Sequence, residues 1–468
     1  MLPPGTPHGK EPKETKMRIL IAGAGVVGTN LAEQLSMEGH EISLVDSDPE
    51  VLRPITDKLD VLTVVGSASS LRTLEEAGID DAEMVIAVTQ SDEVNMIVCM
   101  LAASRNVPVK IARVRNEEYS GDNPSFDPAA FGIDKAINPE QIAVDYIIKY
   151  INTPGATDVA DFAGGRVLMR GFMVTDDMPI ANQTLMAVKQ LDEMRSVLIV
   201  GIYRAGRLTI PNKGDVVIKP GDNIFVVMAK DSLEPFLALL GKRRDETKKL
   251  VIYGATLTGV GLAGQMEEQV DNIVLIESDP ERAKRASQKL ASTLVLQGEG
   301  SDLDTLREAG VSTADFFVSV SGDNEDNLMA ALLAKKEGAK RGIVLTTEPR
   351  YIGVFKSIGL EIVINPRLIT AGMILQHVRR GRVLSAIPIR DRAAEVLEFE
   401  AEEHTRGTGK PLHRVWKKFT GGSIVGAISR NGELIIPDGN SIIEPGDNVI
   451  VFALPEAIRD VENLFVKR

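Results

Sequence analysis

Cysteine is almost absent from this sequence, since Cys99 is the only one among 468 residues. A single cysteine excludes an internal disulfide framework and a cysteine-rich metal site, and it favours a reducing compartment such as the cytosol. Long apolar runs are missing as well, because no stretch of about 18 or more uninterrupted apolar residues is present to cross a bilayer. We therefore expect no direct membrane insertion.

Positive charge is in deficit, with 53 lysines and arginines against 66 aspartates and glutamates and a net charge of -13. This balance repels phosphate backbones and anionic lipid, so neither nucleic acid nor a membrane surface is an expected partner. Catalytic motifs are missing too: there is no Walker sequence, no G-x-S-x-G elbow and no H-E-x-x-H, and the five histidines lack catalytic or metal-like spacing. We predict no enzyme activity, no catalytic residue and no metal site.

An apolar signal segment is absent from the first 16 residues, MLPPGTPHGKEPKETK, which are instead rich in proline. This composition predicts a disordered extension or an expression remnant. The remaining length suits several domains of roughly 100 to 200 residues each.

An internal repeat organises the rest of the chain. ILIAGAGVVGTNLAEQL from Ile19 returns as LVIYGATLTGVGLAGQM from Leu250, and LIVGIYRAGRLTIP from Leu198 returns as SIVGAISRNGELIIP from Ser423. A duplicated two-domain unit explains both matches. We place the four domains at residues 17–153, 154–244, 245–382 and 383–468.

The domain types follow from hydrophobic patterning. In the first and third domains, short apolar runs alternate with amphipathic helical runs, which predicts an α/β fold: a Rossmann-like, doubly wound parallel sheet with helices on both faces. The second and fourth domains have shorter strands and a Pro-Gly-Asp-Asn turn around Gly221 and Gly446. That pattern predicts a small α+β domain with a hairpin before its last strand.

A glycine-rich loop joins the first predicted strand to the first helix. Gly23 permits a tight turn, Gly25 lets the backbone approach a pyrophosphate, and Gly28 permits close helix packing. Phosphate would sit on the free amides of the helix start. Asp46, which ends the second strand, can accept ribose hydroxyls and disfavours the 2'-phosphate of NADP. NAD or NADH is the leading candidate ligand. ATP or ADP is the alternative, because it also carries adenosine and a diphosphate.

Further groups follow strands three to five, because ligands of open α/β sheets bind outside the carboxyl ends of the strands. The arginine that reaches the crevice from strand five is Arg113 or Arg115. A role for Arg113 as a phosphate partner and a role in a surface ion pair are equally consistent with its position. The candidates after these strands are Gly66, Ser67, Thr89, Gln90 and Arg113.

The second copy of the loop is altered. Gly254 and Gly259 keep the first and third glycines, whereas Thr256 replaces the middle one and Glu277 replaces the acid. Leu345 and Thr347 stand where the first copy has arginines. We expect weaker dinucleotide binding there, a different ligand, or none.

Both domain types resemble regulator of potassium conductance (RCK) domains. The N-terminal type is carried by RILIAGAGVVGTNLAEQL, by VVGSASSLRTLEEAGIDDAEMVIAVTQSDEVNMIVC and by KIARVR followed by INPE. The C-terminal companion is carried by IPNKGDVVIKPGDNIFV and IPDGNSIIEPGDNVIVF. Because both types occur twice and in order, residues 18–468 resemble the TrkA family, the peripheral regulatory subunits of Trk potassium-uptake systems.

The resemblance implies a cytoplasmic homotetrameric gating ring held at the inner face of the membrane by a TrkH-type potassium-transporting subunit. NAD(H) or ATP/ADP would change the ring shape and thereby the ion flux. For the first nucleotide site, the resemblance implies Gly23, Ala24, Gly25, Val26, Val27, Asp46, Thr89, Gln90 and Arg113. For the second, the matching positions are Gly254, Ala255, Thr256, Leu257, Thr258, Glu277, Ser321 and Gly322.

Two other functions remain open from the residues. One is an NAD-dependent oxidoreductase with duplicated cofactor domains, although no candidate acid or base lies near either crevice. The other is a soluble sensor of a different cation channel or antiporter, which would share every residue argument above.

Overall fold

The computed structural model describes residues 16–119, 126–211, 213–242, 247–360, 362–375, 377, 383–389, 393–416 and 422–466. The predicted extension therefore lies outside the described residues, except for Lys16. The chain divides into two units, Met1–Pro139 and Glu140–Arg468.

The first unit is built on one parallel sheet. Its strands are β1 (Arg18–Ala22), β2 (Glu41–Asp46), β3 (Leu62–Val65), β4 (Met84–Ala87), β5 (Val109–Arg113) and β6 (Lys135–Ile137). Its helices are α1 (Val26–Met37), α2 (Pro49–Thr56), α3 (Leu71–Glu76) and α4 (Asp92–Ser104). The six strands pair in the order β3-β2-β1-β4-β5-β6. The order reverses between β1 and β4, and that switch point opens a crevice at the carboxyl ends of the strands.

Burial explains why these segments form the sheet. Ile19, Leu20 and Ile21 of β1 are at most 2% exposed, because helices cover both faces of a parallel sheet. Local signals set the helix starts: the Ser91 side chain accepts a hydrogen bond from the Val94 N–H and thereby caps α4. The sheet and its helices thus hold the loop after β1 and the start of α4 in fixed positions.

The second unit begins with α5 (Pro139–Ile151) and an antiparallel domain, which we name C1. Its elements are β7 (Ala156–Phe162), β8 (Val167–Met173), α6 (Leu185–Val188), β9 (Val197–Arg204), β10 (Arg207–Thr209), β11 (Asn223–Ala229) and α7 (Leu233–Leu239). The strands pair in the order β10-β9-β11-β8-β7.

A second parallel-sheet domain follows. Its strands are β12 (Lys249–Tyr253), β13 (Asn272–Glu277), β14 (Leu294–Gln297), β15 (Phe316–Ser319), β16 (Gly342–Leu345) and β17 (Ile362–Ile364). Its helices are α8 (Leu257–Met266), α9 (Pro280–Lys289), α10 (Leu303–Glu308), α11 (Asn324–Lys336), α12 (Pro349–Ser357) and α13 (Pro366–Leu375). The strand order, β14-β13-β12-β15-β16-β17, repeats that of the first sheet.

The last domain, named C2, repeats C1. Its elements are β18 (Val383–Ile389), β19 (Ala394–Glu400), α14 (Leu412–Val415), β20 (Ser423–Arg430), β21 (Glu433–Ile435), β22 (Asn448–Ala453) and α15 (Ile458–Phe465). The strands pair in the order β18-β19-β22-β20-β21. Two Rossmann-like parallel sheets, each followed by a small α+β domain, confirm the predicted fold class. The exact domain boundaries remain predictions.

A hairpin does precede the last strand of each α+β domain, as predicted, but the Pro-Gly-Asp-Asn turn does not form it. Gly221 and Gly446 do adopt positive φ, +86° and +88°. The segment before the first of these turns, however, bonds outside the sheet, since the Ile218 N–H donates to the Gln183 carbonyl. Hairpins form instead between β9 and β10 and between β20 and β21.

Two packing arrangements within the second unit join its domains. Val144 and Ile147 of α5 lie in the core of the second parallel-sheet domain, whereas Tyr146 and Tyr150 of the same helix also pack against the C1 core. The sheets of C1 and C2 share one apolar core, in which the rings of Phe225 and Phe452 lie 5.9 Å apart. The helix that was predicted to lead into the α+β domain is therefore also part of the next domain.

Candidate functional site

Most of the residues predicted for the first site lie at the carboxyl edge of the first sheet. Gly23 follows β1, Asp46 ends β2, Gly66 follows β3, and Arg113 ends β5. Thr89 and Gln90 follow β4. Because neighbouring parallel strands end at the same edge, the fold brings these residues around the switch-point crevice.

Two of the three loop glycines are required by the fold itself. Gly23 has a φ of +107°, and a Cβ there would lie 2.9 Å from the Thr89 main-chain nitrogen. A Cβ on Gly28 would lie 1.8 Å from the Gly23 carbonyl oxygen. Any side chain at either position would displace the backbone, so these glycines are explained without a ligand.

Gly25 is different, because nothing in the fold requires it to be glycine. Its φ is -66°, and a Cβ there would meet no atom within 4 Å. Gly25 is also the N-cap residue of α1, and no side chain caps this helix. The first-turn amides of Val26 and Val27 have no intrahelical partner, and a helix start of this kind favours an anion. Both the open space and the amides suit an approaching phosphate.

Asp46 is held next to this loop. Its Oδ2 accepts a hydrogen bond from the Ala24 N–H at 2.7 Å, and its Oδ1 accepts one from the Asp48 N–H at 3.0 Å. An ionised carboxylate offers about four lone-pair positions, so the remaining ones can accept ribose hydroxyls. The two main-chain bonds fix the orientation of the carboxylate.

A buried asparagine that the sequence analysis missed connects β4 with β5. Asn95 Oδ1 accepts from the N–H and the hydroxyl of Thr89, at 2.9 and 2.7 Å. Asn95 Nδ2 donates to the Arg113 carbonyl at 2.9 Å. Asn327 makes the matching bonds to Ser321 and Leu345. The sequence signal that could have found these residues is the asparagine at the end of two repeated segments, DEVN at residues 92–95 and NEDN at residues 324–327.

The remaining first-site candidates have structural partners. The Arg115 N–H donates to Asp92 Oδ2 at 2.8 Å, and the Arg115 guanidinium donates to the Gln90 carbonyl, so Arg115 fastens the loop after β4. Gly66 is required by packing, because a Cβ would lie 2.8 Å from the Thr73 side chain. The exposed Ser67 hydroxyl bonds to that of Ser69.

The second copy keeps the glycines that the fold requires. Gly254 has a φ of +106°, and a Cβ on Gly259 would lie 2.0 Å from the Gly254 carbonyl oxygen. Thr256 replaces the glycine that the fold does not require, and it caps α8. Its hydroxyl oxygen accepts from the Gly259 N–H at 3.2 Å, and its O–H donates to the Val320 carbonyl at 2.9 Å.

Glu277 holds the position of Asp46 with two additional partners, Arg282 and the Ser278 hydroxyl, which donates to Oε1 at 3.3 Å. Its Oε2 accepts from the Ala255 N–H at 2.7 Å, and its Oε1 accepts from the Asp279 N–H at 2.9 Å. Arg282 Nη2 also donates to Oε1, at 2.9 Å. The first copy has Val51 where Arg282 stands, and the sequence analysis missed this replacement. Glu277 is only 2% exposed, so its charge is paired inside the chain.

A cavity of about 200 Å³ lies at this second edge. Neither Leu257 nor Thr258 is among the residues that line the cavity; Thr258 is buried and Leu257 is exposed. Burial, together with Asp326 and Glu299, raises the pKa of Tyr253 to about 12, so its hydroxyl stays neutral. The lining comprises Tyr253, Gly254, Thr256, Glu277, Ser278, Arg282, Ser321, Gly322, Asp323 and Asp326.

Neither a metal cluster nor a reactive cysteine competes with these two crevices among the described residues. That part of the chain holds no group of three or more histidine, cysteine or acidic side chains placed to bind a metal. Burial raises the pKa of the Cys99 thiol to about 12, which suits a packing residue and not a reactive one. None of the described helices has the length and apolar character to cross a membrane.

Comparison with known proteins matches every domain. The TrkA-N domain model matches residues 19–139 and 250–366, and the TrkA-C domain model matches residues 169–241 and 396–466. The Trk system potassium uptake protein TrkA of Azorhizobium caulinodans is 34% identical over 454 residues, which cover 96% of this chain and 98% of that protein. The TrkA protein of Halomonas elongata is 35% identical with the same coverage.

The fold is also similar to that of a solved structure described as the GsuK channel bound to NAD. The TM-score is 0.61 at 18% sequence identity, and the match covers 97% of this chain and 80% of the GsuK chain.

Proposed function

This chain belongs to the TrkA family of Trk potassium-uptake proteins, and from that premise we propose that NAD or NADH binding in its first parallel-sheet domain regulates potassium uptake. Family membership confirms the resemblance drawn from the sequence motifs. It also removes the support for an oxidoreductase, because it assigns the chain to potassium uptake.

Gly25 is the observation that carries the nucleotide proposal. The fold requires glycine at Gly23 and Gly28 but leaves space around Gly25, and α1 begins there without a side-chain cap. A glycine that packing and backbone geometry do not require is explained by a ligand that approaches the backbone. A diphosphate on the first-turn amides would make that approach.

The residues at this edge fit an adenosine diphosphate moiety. The amides of Val26 and Val27 would bind the diphosphate, and the Asp46 carboxylate would accept ribose hydroxyls. The same charge would repel a 2'-phosphate, which disfavours NADP. ATP and ADP share the adenosine and the diphosphate, so they are the alternative ligands of the same site.

The nucleotide acts in this proposal as a regulatory ligand. A ligand shifts a conformational equilibrium only by its different affinities for the two states. We place the chain in a cytoplasmic homotetrameric ring, docked on a TrkH-type membrane subunit. The net charge of -13 complements the lysine and arginine excess that is typical of cytoplasmic membrane-protein loops.

Titration calorimetry of NADH, NAD, ADP and ATP into the purified protein tests the site. Asp46→Asn should lower NADH affinity about tenfold or more, which corresponds to about 1.4 kcal/mol. Glu50→Gln, an exposed change on the neighbouring helix α2, is the matched control and should leave affinity unchanged. Unchanged binding by Asp46→Asn would refute the first site. Potassium flux through vesicles that hold the membrane subunit, measured with and without NADH, tests the regulation.

A further inference from the structure

We propose that Thr256 and Arg282 close the second crevice to diphosphate nucleotides, so that each chain binds a single NADH. This inference rests on the proposed function of the first crevice. It assigns to two side chains of this sequence the selectivity between two otherwise repeated sites.

The first step of the argument is the helix cap. A phosphate at the start of α8 would need the first-turn amides, and the Thr256 hydroxyl already accepts from the third of them, the Gly259 N–H that corresponds to Gly28 of α1, at 3.2 Å. The O–H of Thr256 is fixed in turn by the Val320 carbonyl at 2.9 Å. The side chain thus supplies the oxygen that a phosphate would bring, and α1 has no equivalent cap.

The second step is the ribose acceptor. Arg282 Nη2 donates to Glu277 Oε1 at 2.9 Å, and the same oxygen accepts from the Asp279 N–H. Among the described residues, Asp46 accepts only main-chain bonds in the corresponding position, since Val51 stands in place of Arg282. A ribose at Glu277 would therefore compete with an existing charge-assisted bond.

The third step is the surrounding charge. The second copy replaces three neutral residues of the first by acids and two arginines by neutral residues, and like charges at short range disfavour a diphosphate. Asn324 in place of Asp92 and Arg282 in place of Val51 offset two of these five changes, so the second edge is more negative by three charges. The gained acids are Glu299, Asp323 and Asp326, in place of Ser67, Ser91 and Val94. The lost arginines are Arg113 and Arg115, which are replaced by Leu345 and Thr347.

The fourth step is space. Tyr253 ends β12 where β1 ends with Ala22, and its buried ring lines the second cavity. Gly300 accommodates this ring, since a Cβ there would lie 2.5 Å from it, whereas the first copy has Ala68. The two replacements match each other, so the second edge is adapted to the aromatic side chain.

The test is the number of NADH molecules bound per chain, measured by titration calorimetry on the full chain. The wild type should bind one, and Asp46→Asn should weaken it while Glu277→Gln leaves it unchanged. The double variant Gly25→Thr, Val51→Arg carries the closing residues into the first crevice. It should lower the affinity for NADH tenfold or more. Val51→Leu is the matched control. In this closed background, Thr256→Gly with Arg282→Val should bind NADH more tightly than the closed parent does.

Other outcomes separate the two proposals. Two NADH per wild-type chain, with one lost in Glu277→Gln, would overturn the closure but keep the proposed function. The closure would also be overturned if the wild type bound a single NADH that only Glu277→Gln removed. NADPH binding that depends on Arg282 would overturn the closure as well, since an arginine near the ribose can accept a 2'-phosphate. No nucleotide binding by the wild type would overturn both. Thermal unfolding of every variant shows whether a lost site reflects a lost fold.

Discussion

A Cβ atom on Gly28 would lie 1.8 Å from the carbonyl oxygen of Gly23, and the same relationship recurs between Gly259 and Gly254 at 2.0 Å. Both copies of the loop therefore depend on direct contact between the helix and the turn that precedes it. This contact sets the loop shape whether or not a ligand binds. It also separates the glycines that serve the fold from the one that serves binding.

Gly28→Ala should destabilise the first parallel-sheet domain by about 1–3 kcal/mol, because the new methyl group forces the backbone apart. Gly25→Ala should leave the free energy of unfolding almost unchanged and should weaken NADH binding. Denaturant unfolding and calorimetry measure the two effects. Equal stability of both variants would contradict the assignment of roles.

Asn95→Ala should lower the free energy of unfolding by about 1–3 kcal/mol, because it leaves part-buried hydrogen-bonding groups of Thr89 and Arg113 without their partner. NADH affinity should fall too, since Thr89 and the end of β5 line the first crevice. Asn327→Ala is the matched variant in the second copy. It should cost similar stability without any change in NADH affinity, and a loss of binding there would contradict a single site.

Glu398 should make stability fall as pH rises. Burial raises its pKa above the ordinary value of 4.5, although hydrogen bonds from the Ala163 N–H and Asn448 Nδ2 oppose this shift. Between the unfolded and folded pKa values the folded state holds more protons, so the free energy of unfolding decreases with pH across that window.

Glu398→Gln keeps a carbonyl acceptor and cannot ionise, so its stability relative to wild type should increase from about pH 4.5 upward. Denaturant unfolding at several pH values measures the difference. Glu433→Gln, at an exposed position of β21, is the control. A difference that is constant with pH would show that Glu398 does not contribute this dependence.

Gly201→Ala should reveal the shared core of C1 and C2. Its Cβ would lie 3.0 Å from the Phe452 ring, so the substitution should cost about 1–3 kcal/mol. Combining it with Phe452→Leu, which removes the ring, should cost less than the sum of the single changes. A double-mutant cycle of unfolding free energies measures this coupling, and additive costs would mean that the two sheets do not share a core.

The sequence alone predicted much of the fold and part of the site. Alternating apolar runs, the Gly-x-Gly-x-x-Gly loop and an acid at the end of the second strand are local patterns, readable from spacing. Asn95 and Arg282 were missed because a single polar residue on a helix carries no signal about its partner across the fold. The Pro-Gly-Asp-Asn turn was wrongly expected to form the hairpin, because such a turn indicates where the chain turns and not which strand it then joins.

The repeated sequence thus determined by itself that the chain is a duplicated pair of Rossmann-like and α+β domains, because periodicity and loop spacing are properties of neighbouring residues. Only the tertiary structure decided which glycines the fold requires, because the Cβ of Gly23 would meet Thr89, which is distant in sequence. It also decided that α5 packs in two cores of the second unit and that Glu277 is already paired with Arg282. These are contacts between distant segments, and they form only when the sheets assemble.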